Sequence, residues 1–155
     1  FAWASLGTPL SKNEYLNSQD ILLSFIRELT DSLSTPNNHV VLGGFSQGAM
    51  MTYRLGIPRP QQFAGLVALG GLLDDETIPA NQSCIEKDQP IFIAHGTLDT
   101  VIPIESARDA KLRLENVGIS PTYKEYSIAH EINHAILNDL SYWLKALFPS
   151  NTSDG

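Results

Sequence analysis

Apolar residues fall along this chain in two rhythms. Short runs that read as apolar cover 40–45, 64–69, 90–94 and 122–126, and each predicts a strand. Elsewhere apolar residues recur every three or four positions, which predicts helices with one buried face. Leu22, Phe25, Ile26, Leu29 and Leu33 make one such face, closed by Pro36. Ala107, Ala110, Leu114 and Val117 make another, stopped by Gly118, and Ile136, Leu140, Trp143, Leu144 and Leu147 make a third, stopped by Pro149. A further helix is expected over the Ala49–Leu55 segment. Strands alternating with helical or loop sequence predict an α/β domain built on a largely parallel sheet. The stretch 72–89 has little periodicity and carries Asp74, Asp75, Glu76 and Pro79. It reads as a long loop at the C-terminal end of a strand, where substrate loops gather. Residues 1–149 read as a single domain and 150–155 as a polar tail.

Composition narrows the partners. The chain has 155 residues, 43% hydrophobic and 17% charged, which fits one globular domain. A formal net charge of -7 without a basic cluster argues against nucleic acid and anionic membranes. No apolar run approaches the ~18–20 residues of a membrane span. Cys84 is the single cysteine, which excludes an internal disulfide framework and fits a reducing, cytoplasmic setting. The sequons at Asn81 and Asn151 matter only in a protein secreted by a eukaryote, and no leader pattern accompanies them. The chain starts with Phe1, so its natural start is expected to be missing or removed.

The segment Val40–Gly56, VVLGGFSQGAMMTYRLG, carries the candidate chemistry. It reads strand, then G-x-S-x-G, then helix, the setting of a nucleophile elbow. Ser46 would stand on a sharp turn, with Gly44 and Gly48 lacking side chains that would strike neighbouring backbone. The first N–H groups of the new helix would point at a developing oxyanion. A serine nucleophile needs a base, and the base needs an orienting carboxylate. Asp99 follows the third strand in His95–Pro103, HGTLDTVIP, and His130 follows the fourth. In a parallel sheet these strand ends share one rim, so residues far apart in sequence can meet there. Asp74 and Asp75, after the second strand, are rivals for the acid. Of the other histidines, His95 is expected to hold the acid loop by hydrogen bonding and His134 to be structural or exposed, while His39 opens a strand without an evident partner. Leu72 and Leu73, with Ile78, are candidates for lining an acyl site.

Gly44–Ala49 (GFSQGA), His95–Asp99 (HGTLD) and Ala129–Ile132 (AHEI) resemble the three signatures of the bacterial phospholipase/carboxylesterase family, which also contains the acyl-protein thioesterases. Phe1-Ala-Trp3 is similar to the aromatic segment before that family's nucleophile strand. The resemblance implies an α/β-hydrolase-like fold and hydrolysis of carboxylic esters or thioesters without metal or organic cofactor. It implies Ser46 as nucleophile, Asp99 as orienting acid, His130 as base and the Gln47 N–H as one oxyanion donor. Members also carry N-terminal strands and a His-Gly-rich loop that donates the second oxyanion N–H. This chain begins after them, so the expected sheet lacks those strands. Its nucleophile strand would be an open apolar edge, covered by a second copy or an N-terminal fragment. Loss of one oxyanion donor costs about 10²–10³ in turnover. A weakly active or non-catalytic remnant is therefore the alternative to an esterase.

His130-Glu131-Ile132-Asn133-His134 is also a literal H-E-x-x-H, the zinc peptidase pattern. A third ligand is wanting: the extended form needs histidine at 140, where Leu140 stands, and no glutamate follows Glu131. Its helix would also have to begin before His130, where a strand-like run ends.

Overall fold

The computed structural model describes residues 12–79 and 85–149. The readings of Phe1–Trp3, Asn81, Cys84, Asn151 and the 150–155 tail lie outside the described residues.

The elements run α1 (Lys12–Ser32), β1 (Val41–Phe45), α2 (Gln47–Gly56), β2 (Gly65–Leu69), β3 (Ile91–Gly96), α3 (Ile104–Asn116), β4 (Thr122–Tyr126) and α4 (His134–Leu147). The strands form a sheet in the order β1-β2-β3-β4, every neighbour pair parallel. β2 and β3 are buried along their whole length, which is why they read as unbroken apolar runs rather than alternating ones. α2 lies on the crossover from β1 to β2 and α3 on that from β3 to β4, while the long segment after Leu69 leads to β3, so all C-terminal ends reach one rim.

Side chains pack on both faces of the sheet. On one face Tyr53 of α2, Ile57 at its C-cap and Ala107, Ala110 and Leu114 of α3 close over Leu66, Ala68, Ile91 and Ile93. On the other, Ile136, Leu140 and Trp143 of α4 cover Val67, Leu69, Phe92 and Ala94. The helices sit where the three- and four-residue spacing places them.

Two expectations fail. The face drawn through Leu22 and Leu33 is split: Ile26 packs on the core, while Phe25, Leu29 and Leu33 are 58%, 44% and 65% exposed. Among the described residues nothing covers that second stripe. His39 does not open a strand but ends a 3-10 turn, Asn37–His39. Its Nδ1 pairs with Asn38 Oδ1 at 2.9 Å, and its ring stacks 5.9 Å from that of Phe148.

Candidate active site

Ser46 sits between the end of β1 and the first residue of α2 with φ 58° and ψ -118°. A non-glycine residue held there stores about 1–3 kcal/mol of backbone strain. The neighbours hold the bend. The Ser46 N–H donates to Leu69 O at 2.9 Å, and Ser46 O receives the N–H groups of Ala49 and Met50. A Cβ on Gly44 would fall onto the carbonyl group of Gly48, so the first glycine of the motif is required by close approach. The second is not: a Cβ on Gly48 would meet nothing within 4 Å, which corrects the expectation of a clash there. Gly44→Ala is expected to cost about 1–3 kcal/mol through overpacking at the bend. A urea midpoint unchanged from the parent protein would contradict this.

The rim brings Ser46, Asp99 and His130 together. His130 Nδ1 lies 2.7 Å from Asp99 Oδ2 and its Nε2 3.0 Å from Ser46 Oγ, across 84 residues of sequence. An ionised carboxylate only accepts, so Nδ1 carries the proton and donates to Asp99. Nε2 of the neutral ring is then an acceptor facing the Ser46 hydroxyl, which donates to it. The Asp99 side chain is 1% exposed and that of His130 17%. Burial by itself would raise the Asp99 carboxyl. The hydrogen bonds from His130 and from the N–H groups of Ile102 and Val101 outweigh it, and the carboxyl lies below its ordinary value of 3.8. Those N–H groups reach Oδ1 at 2.9 and 2.8 Å. Asp99 is thus charged, fixed and aimed.

Backbone bonds lace the acid and base loops to each other: Thr97 N–H to Tyr126 O at 2.7 Å and Leu98 N–H to Ile128 O at 3.0 Å. His95, in β3 and buried, donates from Nε2 to Ile102 O at 2.8 Å. The same nitrogen lies 3.3 Å from Asp99 Oδ2. It therefore touches the acid as well as tying down its loop. On the other side of the base, the Phe45 ring lies 4.6 Å from the His130 ring.

The rival acids are engaged elsewhere. Asp74 pairs with Arg54 and Asp75 with Arg113 at 3.2 Å. Arg113 also donates to Leu73 O at 2.8 Å and Asp74 O at 3.2 Å. These two arginines clamp the start of the loop after β2. Leu73 is 4% exposed and packs into the core, with Ile78 against the same cluster, while Leu72 is half-buried. Gln47 heads α2, so its N–H has no intrahelical acceptor and is free to bind an anion.

The zinc pattern does not assemble. His130 lies in a loop, and α4 starts at His134 because Asn133 Oδ1 accepts from the Ile136 N–H at 3.0 Å and caps it there. The two imidazoles therefore do not share a helical face, and His134 is exposed. Among the described residues no group of three His, Cys, Asp or Glu is placed to hold a metal ion.

Reasoning from side chains missed the Val101 and Ile102 amides, since backbone donors carry no residue signature. It also passed over the tilted ring contact of Phe45 with His130, although an aromatic residue directly before the elbow serine was in plain view.

The model of the Phospholipase/Carboxylesterase family matches residues 8–148. The chain belongs to that family. Acyl-protein thioesterase 1 of Kluyveromyces lactis is 33% identical over 153 residues, covering 95% of this chain and 67% of that protein. The namesake in Yarrowia lipolytica is 28% identical over 150 residues, covering 92% of this chain and 64% of that one. The chain thus spans about two thirds of the length of these family relatives. Both are from yeasts, so the bacterial label that came with the resemblance finds no support in them. The crystal structure of esterase PE8 superposes with a TM-score of 0.80 at 23% identity, over 94% of this chain and 69% of that one. The likeness establishes the α/β-hydrolase fold. Among the described residues no helix is long and apolar enough to cross a membrane.

Proposed function

We propose that the protein is a serine hydrolase that cleaves carboxylic esters or thioesters through an acyl-enzyme. The observation that carries this reading is the unbroken chain Ser46 Oγ, His130 Nε2, His130 Nδ1, Asp99 Oδ2 at 3.0 and 2.7 Å, hung on a positive-φ serine. Ser46 Oγ attacks the acyl carbon and its proton passes to His130 Nε2. The carbonyl oxygen takes up the electron pair and is met by the Gln47 N–H. His130 then protonates the departing alcohol or thiol. Water repeats the sequence on the acyl-enzyme, giving its proton to His130, and Ser46 leaves with it.

The name of its yeast relatives supports acylated proteins as the thioester substrate. Leu72 faces the acyl chain, and Leu73 supports that wall from the core. Residues 1–149 act as one hydrolase domain with 150–155 as a tail. The lone thiol of Cys84 suits work in the cytoplasm.

A fluorophosphonate probe tests the enzyme reading. Labelling of the natural protein that disappears in Ser46→Ala is expected. A folded protein that takes no label would instead favour the non-catalytic remnant.

The free edge of the sheet supports an association. β4 is the other edge, and Lys124 and Glu125 mark it with charge, the usual protection against strand addition. β1 reads VLGGF without a charge, and among the described residues it pairs only with β2. Phe25 and Leu29 of α1, with Leu33 just beyond it, add exposed apolar surface. A second copy of this chain or an N-terminal fragment covers this side in the working particle. Light scattering with mass spectrometry is expected to find more than the lone 155-residue chain. A monomer of that mass without a partner peptide, and with full turnover, would contradict it.

A further inference from the structure

We propose that Phe45 is a positioning residue for His130, and that its ring face favours the imidazolium formed when Ser46 attacks; this rests on the serine-hydrolase reading above. His130 is held at two points, Nδ1 by Asp99 at 2.7 Å and Nε2 by Ser46 at 3.0 Å. Two bonds at opposite ends of a flat ring fix its direction but leave it free to rock about the line joining them. The Phe45 ring removes that freedom, lying 4.6 Å from the imidazole with the planes 38° apart.

The backbone is shaped to admit both rings. Phe45 ends β1, directly before the strained serine, and pairs in register with Leu69 of β2. The next residue of that chain, Gly70, has φ +55°, which L side chains rarely adopt. A Cβ there would stand 2.8 Å from Phe45 Cε2 and 3.7 Å from His130 Cε1. The bare Gly70 thus leaves the slot in which the rings meet. The residue directly before the elbow serine thus also braces the base.

The chemistry gives the contact a second consequence. In acylation the Oγ–H bond breaks, Oγ bonds to the acyl carbon and the carbonyl π pair moves to oxygen. The proton on Nε2 makes His130 a cation until it is passed to the leaving group. A cation within about 6 Å of an aromatic face is attracted to the ring's negative quadrupole. The neutral imidazole of the resting enzyme gains far less. The contact therefore favours the transition state over the ground state and acts on kcat.

The test uses the natural protein and p-nitrophenyl acyl esters. Phe45→Leu keeps an apolar side chain without the π face. It is expected to lower kcat about 3- to 30-fold with KM little changed, and to broaden the downfield NMR signal of the His130 Nδ1 proton. Phe45→Tyr keeps the face and should restore kcat to within about 2-fold. Should the leucine variant not fold, pentafluorophenylalanine at 45 keeps the shape and reverses the quadrupole, and the same fall in kcat is expected. Leucine or pentafluoro variants at parental kcat, or a tyrosine variant as slow as the leucine one, would overturn the proposal. Ser46→Ala separates the two levels. If it keeps turnover, the serine assignment falls and the role of Phe45 with it; if it is dead while the Phe45 variants are fast, only the role of Phe45 falls.

Discussion

Ser46→Ala is expected to lower kcat on a simple acyl ester by about 10⁴–10⁶, with the fold and the urea midpoint retained. The loss is that of covalent catalysis: without Oγ there is no acyl-enzyme, and His130 has no hydroxyl to deprotonate. His130→Ala should fall to a similar level, because the serine is a poor nucleophile until its proton has somewhere to go. The double variant should be no slower than Ser46→Ala, since the two groups act as one unit. Additive losses in the double variant would mean that they work independently and that the 3.0 Å contact between them is incidental. Replacing a Gly48 α-hydrogen with a methyl group is a useful contrast. With open space beyond its Cβ position, Gly48→Ala leaves the bend intact, and a strain argument applied equally to both motif glycines does not survive.

Much of this arrangement was legible before any coordinates. β2 and β3 announce themselves because buried parallel strands need apolar residues on both faces, and β1, only partly buried at the edge, by its apolar Val41-Leu42 start before the elbow motif. β4 was legible for another reason: Thr122, Tyr123 and Tyr126 favour extended backbone even though the strand lies at an edge. Chain order and strand ends put Ser46, Asp99 and His130 on one rim, where their side chains meet, but left Asp74 and Asp75 as rivals for the acid. Periodicity was less informative about what covers a face. Leu22, Phe25, Ile26, Leu29 and Leu33 mark an apolar side of the first helical stretch, yet the pattern is silent on what packs against it. Leu73 shows the same limit in a loop, where an apolar residue beside the site turned into the core. His39 was misplaced by one short turn, since a 3-10 segment leaves no periodic trace. The amides of Val101 and Ile102, which hold Asp99, have no counterpart in side-chain identity at all.

Asp99→Asn should be nearly as damaging as loss of the serine, about 10⁴ in kcat, while leaving the loop in place. Asn Oδ1 can take the Val101 and Ile102 N–H bonds that Asp99 Oδ1 accepts now. The amide NH₂ then replaces Oδ2 and turns a donor toward His130 Nδ1. That nitrogen must become the acceptor, so the ring's proton moves to Nε2 and faces Ser46, where a base is needed. The buried His95 Nε2–H, 3.3 Å from Oδ2, meets the same NH₂ and adds a repulsion. Stability should respond to acid in the opposite sense to activity at neutral pH. The folded-state carboxyl of Asp99 lies below its ordinary 3.8, so the unfolded chain binds the proton first as pH falls. Its stabilising contribution is complete above 3.8 and is lost as pH drops through the lowered folded-state value. The asparagine variant cannot titrate there. Urea midpoints measured from about pH 6 down to about pH 3 should therefore converge, the parent protein losing more than the variant. Parallel curves would show that the charge on Asp99 is no better accommodated in the folded protein than in the unfolded chain, and the account of a fixed, hydrogen-bonded carboxylate would fail with them.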